Sequence, residues 1–275
     1  MKKLILLFFA FLFITSCDDG DFDVPSFVFG TNVNNCGDLI LFNISDSSNE
    51  ALILNLNEDN TDDLFFVTER TDESFDLNNR ISYRIFNGNV GSSYFCQNIP
   101  PASPGIIEEW NGGGDLIVSN SITRNDNDGV VEDDFTIDSD SDSVFDYLDI
   151  DDDDDGVLTS DELGLDNDGD NFLDFLDTDG DSIPNHLDAD DDGDGVPTIN
   201  ELRTDSNAND IIDYLDNSTS DTQTAFPPLQ NKHTLSYTTT FIIENMSLTN
   251  SNGNVINYNS YQYGVKTGDV IIMNN

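Results

Sequence analysis

Aspartates at alternate positions fill the middle of the chain. Between Asn125 and Asp216 the sequence has 34 Asp or Glu residues and one basic residue, Arg203. They recur as Asp-x-Asp-x-Asp, followed by a small residue or Gly and by a further carboxylate that closes a loop. Carboxylates at alternate positions around a tight turn are the usual ligands of Ca²⁺. A run of like charges is also typical of a disordered segment, so the register of the carboxylates must decide between the two interpretations.

The acidic stretch is an internal repeat. Residues 138–176 align with residues 177–215 without gaps, at an offset of 39, and 18 of the 39 positions are identical. Leucines and glycines are kept in register as well as aspartates, which a disordered acidic segment has no physical reason to do. The repeat therefore favours an ordered, calcium-bound segment.

Two loops of twelve residues, 151–162 and 190–201, fit the EF-hand loop pattern. Carboxylates stand first, third and fifth, Gly156 or Gly195 stands sixth, and a Glu stands twelfth. The sixth residue must turn sharply, which favours Gly, and the twelfth supplies a bidentate carboxylate. The predicted ligands are Asp151, Asp153, Asp155, the carbonyl oxygen of Val157 and Glu162, and then Asp190, Asp192, Asp194, the carbonyl oxygen of Val196 and Glu201.

The residues that flank these loops depart from an EF-hand. A true hand has a long amphipathic helix on either side, whereas the apolar runs at 145–148 and 185–187 are too short for one. Pro197 also occupies the position at which paired loops normally form a small strand contact. We therefore expect calcium to have a structural role, rather than to open a pair of helices as in a sensor.

Four further loops have the spacing Asp-x-Asp-x-Asp-x-x-x-Asp-x-x-Asp, with Asn at some positions. This pattern resembles the thrombospondin type 3 repeat over about 80 of the 275 residues. The resemblance implies a chain that wraps around a string of calcium ions with little other core. The usual cysteines of that family are missing, so metal alone would hold the wrap. The predicted ligands are Asp138, Asp140, Asp142, Asp146 and Asp149; Asp166, Asp168, Asp170, Asp174 and Asp177; Asp177, Asp179, Asp181, Asn185 and Asp188; and Asp205, Asn207, Asn209, Asp213 and Asp216.

These loops predict Ca²⁺ as the bound cofactor, with about six ions if each loop holds one. Without metal, repulsion between the carboxylates and the scarcity of apolar side chains predict an unfolded acidic segment. Residues 124–135 carry only Asp126, Asp128, Gly129 and Glu132 of the pattern, and we interpret them as a degenerate lead-in site.

The chain begins with the features of a secretory signal. Two lysines precede the apolar run 4–14, which is too short to span a bilayer as a permanent helix. The ending Ile14-Thr15-Ser16-Cys17 resembles the bacterial lipoprotein cleavage box, and the acidic residues 18–21 resemble the export tag of surface lipoproteins of the Bacteroidetes. These resemblances imply removal of residues 1–16, lipidation of Cys17, an acidic tether at 17–26, and a lipid-anchored protein exposed on the outer membrane. An ordinary signal with a chance Cys is the alternative.

Net charge, cysteine content and the absence of catalytic motifs limit the classes of partner, bond and activity that we expect. A formal net charge of −46 should repel nucleic acid, so none is expected as a partner. Cys36 and Cys96 predict one disulfide in an exported chain, with two buried free thiols as the alternative. The sequence has two histidines and no His-rich zinc motif, Gly-rich phosphate loop or Gly-x-Ser-x-Gly, so we expect no enzyme.

Short β-rich runs separated by Asn, Asp, Ser and Gly predict a mainly-β fold, an antiparallel β-sandwich. We expect residues 27–123 to form its first part, 124–217 the inserted calcium-binding repeats, 218–231 a linker, and 232–275 a hairpin that completes the sandwich. The rival is a separate C-terminal hairpin domain. The expected function is a calcium-binding surface lipoprotein with a structural or adhesive role and an extracellular protein or glycan partner. The alternative is a glycan-binding lipoprotein with the sandwich as lectin and the repeats as stalk. The many Asp and Glu pairs leave a glycosidase dyad open, and Glu108-Glu109-Trp110 is the most suggestive place for one, because an exposed Trp can stack on sugar. A Trp packed on the sandwich is the alternative for Trp110.

Overall fold

A computed structural model describes residues 27–37, 40–56, 69–97, 99, 101–167, 169, 172–220, 222–227 and 229–273. The predicted signal, the tether with Cys17 and the β-rich run at 64–67 lie outside the described residues. The described regular structure is β-strand and short 3₁₀ helix, so the mainly-β prediction is confirmed. The strands are β1 (Asn34–Cys36), β2 (Ile40–Ile44), β3 (Glu50–Asn55), β4 (Arg70–Asp76), β5 (Ile81–Phe86), β6 (Ile106–Asn125), β7 (Lys232–Asn250) and β8 (Val255–Met273).

The strands form one curled antiparallel sheet in the order β1-β2-β3-β5-β6-β7-β8, with β4 also paired to β6. One edge of β6 pairs with β5 and then with β4, while its other edge pairs with β7. The sheet curls until β8 meets the segment before β1. There the Val33 N–H donates to the Val265 carbonyl at 2.9 Å, and the Val265 N–H donates to the Thr31 carbonyl at 2.7 Å. The two layers expected of a sandwich are therefore parts of one continuous sheet.

The core lies inside this curl. Trp110, Tyr83, Phe241 and Tyr263 are among its largest fully buried side chains, and they come from β6, β5, β7 and β8. Along β7 the buried residues alternate, because successive side chains of a strand point to opposite faces. Each large apolar side chain buried in this way contributes about 1.5–3 kcal/mol. The N-terminal strands and the tail thus share a single hydrophobic core.

The acidic segment connects two neighbouring strands. β6 ends at Asn125 and β7 begins at Lys232, and the two strands pair from Trp110–Asn250 to Asn125–Thr234. The chain therefore leaves the sheet and returns to it at adjacent positions. The 19 residues of β7 bury their apolar face against the N-terminal strands, which a separate hairpin would leave exposed.

The three consecutive glycines Gly112-Gly113-Gly114 do not interrupt the sheet, because β6 runs through all three residues. A register shift between Gly113 and Asp115 absorbs the irregularity in the pairing with β7. A Cβ atom on Gly112 would lie 1.8 Å from the carbonyl oxygen of Ser247. These glycines allow neighbouring strands to approach closely, rather than ending a strand.

A disulfide joins Cys36 of β1 to Cys96, with 5.2 Å between the two Cα atoms. It lies beside a second, smaller apolar cluster that includes Phe42, Phe86 and Phe95. The bond ties the edge of the sheet to the segment that follows the 3₁₀ helix Ser92–Tyr94.

Candidate metal centres

One hydrogen bond recurs in every loop of the repeat. The main-chain N–H of the second residue donates to the side chain of the ninth, as from Asp152 to Oγ1 of Thr159 at 3.1 Å and from Asp191 to Oγ1 of Thr198 at 3.0 Å. Short polar side chains commonly satisfy nearby N–H groups in this way. The other pairs, at 2.9–3.3 Å, are Ser139–Asp146, Asn167–Asp174, Thr178–Asn185 and Ser206–Asp213.

This hydrogen bond between the second and ninth residues gives the ninth side chain a structural role in each loop. For Asp146, Asp174, Asn185 and Asp213, which the sequence predicts as ligands, the side chain accepts a hydrogen bond from its own loop. Ligation by these four residues stays a prediction. In loops 151–162 and 190–201 the side chain that accepts this hydrogen bond belongs to a threonine, Thr159 or Thr198, and both threonines are fully buried.

The fourth and sixth residues of the loops turn the chain. The sixth residues Gly156 and Gly195 have φ values of 85° and 97°, in the left-handed region that favours Gly. The main-chain N–H groups of Val157 and Val196 then donate to the fifth residues, Asp155 at 2.6 Å and Asp194 at 2.8 Å. Whether the two Val carbonyl oxygens ligate a metal stays a prediction.

Each of these two loops ends in a single turn of 3₁₀ helix, Thr159–Asp161 or Thr198–Asn200. Throughout the described part of the acidic segment, helical structure is limited to 3₁₀ helices of three residues. The long helices of an EF-hand are therefore absent there, as the flanking sequence predicts.

Four carboxylates converge where the two repeats meet. One oxygen from each of Asp153, Asp155, Glu162 and Asp191 lies within 4.8 Å of the others. Glu162, Asp155 and Asp191 are only 3 %, 1 % and 2 % exposed. Both carboxylate oxygens of Glu162 and both of Asp191 lack a hydrogen-bond partner among the described residues. Oxygens buried in this way, without a donor, suit a hard cation.

Burial and mutual repulsion make the ionised form of this cluster unfavourable. Burial, followed by the charges of neighbouring carboxylates, raises the pKa of Glu162 to about 11 and that of Asp191 to about 9. The nearby cation Arg203 donates from Nη2 to the Asp155 carbonyl at 3.1 Å. Burial still raises the pKa of Asp155 to about 6 against the opposing charge of Arg203. One guanidinium cannot balance four carboxylates, so the cluster is stable in ionised form only with additional positive charge.

Loop 190–201 forms a cluster from other positions: its first, third and fifth residues meet, whereas Asp151, the first residue of loop 151–162, is not part of the four-carboxylate cluster. Oxygens of Asp190, Asp192 and Asp194 lie within 4.8 Å of one another. Glu201, the twelfth residue, is fully buried, and neither of its carboxylate oxygens has a hydrogen-bond partner among the described residues. Burial, and then the charges of Asp192, Asp194 and Asp190, raises the pKa of Glu201 to about 8. Three predicted ligands of this loop are therefore brought together, and the fourth carboxylate, Glu201, experiences their charges.

Two of the loops with a terminal Asp form similar but more open clusters, again with oxygens within 4.8 Å. Asp149, which closes the first loop, has a pKa raised to about 6 by burial and by Asp142 and Asp140. The pKa of Asp188, which closes the second, is raised by burial and by Asp181 and Asp179. The clusters are Asp138, Asp140 and Asp142, and Asp177, Asp179 and Asp181.

The remaining two loops differ. In loop 205–216 the side-chain amides of Asn207 and Asn209 donate to Oδ2 of Asp216 at 2.8 and 2.7 Å. These predicted ligands meet through hydrogen bonds, and Oδ1 of Asp205 accepts the Asn209 N–H at 3.1 Å. In loop 166–177, Asp166 and Asp174 are described, but Asp168 and Asp170 lie outside the described residues.

Asp152 and Asp191 are the site residues that sequence reasoning missed. Both stand second in a loop, a position that supplies no ligand in an EF-hand. The sequence could have indicated them, because the two positions align at the offset of 39 and both are Asp. The lead-in stretch was also undervalued: oxygens of Asp126, Asp128 and Glu132 lie within 4.8 Å of one another. It is thus as compact as the clusters within the repeat.

The Trp considered for glycan stacking is not available for it. Trp110 is fully buried in the core, so the packed alternative is the one observed. Its neighbours are also engaged: Oε1 of Glu108 accepts the Asn250 amide at 2.9 Å, and Oε1 of Glu109 accepts Nε of Arg84 at 2.7 Å.

No family model, curated protein or solved structure matches this chain. Across the described residues, no helix has the length and apolar character needed to cross a membrane. Several clusters of acidic side chains that could hold metal ions are the functional feature of the described structure.

Proposed function

We propose that this chain is a calcium-binding cell-surface lipoprotein in which calcium ions stiffen the acidic repeat, and that its role is structural or adhesive. The observation that carries the proposal is the meeting of Asp153, Asp155, Glu162 and Asp191 within 4.8 Å of one another. Two of these carboxylates are buried and have no hydrogen-bond donor among the described residues. An ion is the simplest way to stabilise them.

The donor set favours calcium. The clusters offer carboxylate oxygens, whereas zinc sites usually include His or Cys. Calcium accepts six to eight oxygens in flexible geometry, while magnesium demands a near-ideal octahedron and keeps several waters. Twelve-residue loops with a Glu at the last position supply calcium's bidentate ligand, and sites of roughly 0.1–1 mM affinity are sufficient outside the cell.

A structural role follows from how the loops are built. A calcium sensor transmits binding through long helices, and the described acidic segment has only 3₁₀ helices of three residues. The segment also leaves β6 and returns to β7, so stiffening it stiffens an arm fixed at both ends to the sheet. The resemblance to the thrombospondin type 3 repeat supports the same role.

Calcium titration by calorimetry on the whole chain tests the binding. We expect several ions to bind, with magnesium at equal concentration displacing few of them. Glu162→Gln removes one bidentate anionic ligand and should weaken its site about tenfold or more, which is ~1.4 kcal/mol. The matched control is Asp161→Asn, which removes an exposed neighbouring charge. Equal affinities in the two variants would refute the assignment of Glu162, and the absence of calcium binding would refute the proposal.

The surface lipoprotein part rests on Cys17 and the residues around it. Labelling with a fatty acid analogue should mark the wild-type chain and leave Cys17→Ser unlabelled. External protease should then remove the protein from intact cells. Equal labelling of Cys17→Ser, or full protection of the labelled protein from protease, would contradict this part and leave calcium binding untouched.

A further inference from the structure

We propose that Asp126, Asp128, Glu132 and Asp152 form an additional site for a divalent cation of the calcium class, which fastens the acidic segment to the end of β6. The inference rests on the proposed function, since it assumes that the chain binds calcium. It goes beyond it because three of the four residues stand outside the repeated loops, at the junction with the sheet.

The first three residues already meet. Oxygens of Asp126, Asp128 and Glu132 lie within 4.8 Å of one another, directly after the last residue of β6. Asp126 and Asp128 are only 7 % and 6 % exposed. Oδ2 of each, and Oε1 of Glu132, have no hydrogen-bond partner among the described residues.

Asp152 supplies an independent observation, because it comes from another part of the chain. It is 3 % exposed, and its Oδ1 lacks a hydrogen-bond partner in the part of the chain that the structure describes. Burial, and then the charges of Asp128, Asp146, Asp126 and Glu132, raises its pKa to about 10. Asp152 therefore lies close enough to the three residues after β6 to experience their charges.

Asp146 lies near the proposed site. Its charge acts on Asp152 and on Glu132. Its two oxygens accept the N–H and the hydroxyl of Ser139 at 2.9 and 2.8 Å, so it also clasps the first loop of the repeat. No described basic side chain forms an ion pair with any of these carboxylates, so a divalent cation is the charge that fits.

The repeat gives the site a second line of support. Asp152 and Asp191 are equivalent at the offset of 39. Asp191 completes the cluster of Asp153, Asp155 and Glu162, which belong to loop 151–162 of the first repeat. Asp152 likewise lies near an acidic cluster from an earlier part of the chain, the lead-in stretch. In both cases a buried Asp at the second position of a loop adds a carboxylate to a cluster that comes earlier in the sequence.

The position of the site gives it a mechanical consequence. Nδ2 of Asn127, between two of the ligands, donates to Oγ1 of Thr234 in β7 at 3.0 Å and to the Asn125 carbonyl at 3.2 Å. A cation held here would join the end of β6 to loop 151–162. The direction in which the acidic segment leaves the sheet would then depend on calcium.

Native mass spectrometry of the whole chain in calcium tests the site by counting ions. We expect Asp152→Asn and Asp126→Asn each to hold one ion fewer than the wild type. The control Asp133→Asn, an exposed neighbour outside the cluster, should hold the full number. Hydrogen exchange gives a second measurement: residues 126–132 should exchange faster in Asp152→Asn, whereas loop 190–201 should be unchanged.

The outcomes separate this site from the proposed function. If the wild type holds no calcium, the proposed function fails and the junction site fails with it. If the wild type holds several ions and both Asn variants hold the same number, only the junction site is overturned. Loss of several ions from both variants would also overturn it, because the residues would then support the fold rather than one ion.

Discussion

Asp152 and Asp191 occupy equivalent positions in successive repeats, and each has a buried carboxylate that lies near an acidic cluster from an earlier part of the chain. Asp191 lies within 4.8 Å of ligand oxygens from Asp153, Asp155 and Glu162. Asp152 experiences the charges of Asp128, Asp146, Asp126 and Glu132. Loop 190–201 is therefore linked through Asp191 to the cluster of loop 151–162, and loop 151–162 is linked through Asp152 to the lead-in stretch. Since filling one site would order a residue of an earlier site, we expect calcium to bind with positive cooperativity.

Removal of calcium should unfold the acidic segment and leave the sheet intact. The reason is that the loops rely on carboxylates whose mutual repulsion needs a cation, whereas β6 and β7 pair directly and share the apolar core. Hydrogen exchange after chelation should show loss of protection in residues 138–216 and retained protection in β5–β8. Protection that is equal with and without chelator would contradict this prediction.

The pH dependence should have opposite signs with and without calcium. Burial raises the folded-state pKa of Glu162 to about 11, of Asp191 to about 9 and of Glu201 to about 8. A carboxyl group with a raised folded pKa stabilises the metal-free fold below its unfolded value of about 4, and this stability is lost as pH rises towards the folded value. The metal-free segment should therefore be more stable near about pH 5 than near about pH 8.

Calcium affinity should instead rise over the same interval, because the ligands must lose their protons to bind. Thermal melts of dialysed protein and calcium titrations, each over this pH range, measure the two trends. Glu162→Gln should flatten both slopes relative to Asp161→Asn. Parallel trends with and without calcium would show that these carboxyl groups do not govern the response.

Gly112→Ala should destabilise the sheet. The added Cβ atom would meet the Ser247 carbonyl oxygen at 1.8 Å, so β6 and β7 must separate locally. Overpacking of this kind costs about 1–3 kcal/mol or more. Urea unfolding followed by fluorescence of Trp110, the one Trp of the sequence, reports on β6 itself. Gly91→Ala is the control, since nothing lies within 4 Å of the added atom, and its midpoint should stay near that of the wild type.

Loss of the Cys36–Cys96 disulfide should weaken the sheet without affecting the acidic loops. The two cysteines are 60 positions apart, and closing a loop of this length stabilises a fold by roughly 4 kcal/mol through the entropy of the unfolded chain. Cys36→Ser should lower the urea midpoint reported by Trp110 and leave calcium stoichiometry unchanged. The same drop should follow from reductant on the wild type, and reductant should have no further effect on Cys36→Ser.

The loops could be predicted from the spacing of residues along the chain. The first, third and fifth residues of a loop lie close in the chain, so the alternation of Asp is enough to predict that their oxygens converge. The structure brings together Asp190, Asp192 and Asp194 as the pattern predicts, and Gly195 has the positive φ that the turn requires. Alternation of apolar residues likewise predicts β7, because the period of a strand is two residues.

Contacts between residues far apart in sequence could be identified only from the tertiary structure. The role of Gly112 in close strand approach, the burial of Trp110 and the meeting of Thr31 with Val265 all join residues far apart in sequence. No local period records which strands become neighbours, because pairing depends on how the whole sheet curls.

The sequence by itself therefore determined the repeat, its loop geometry and its acidic donor set, since these depend on spacings within twelve residues. Only the tertiary structure decided that Asp191 completes the cluster of loop 151–162 and that Asp152 lies near Asp126 and Asp128. The physical reason is that a ligand set drawn from two loops depends on how the loops pack, and packing places oxygens that no spacing along the chain relates.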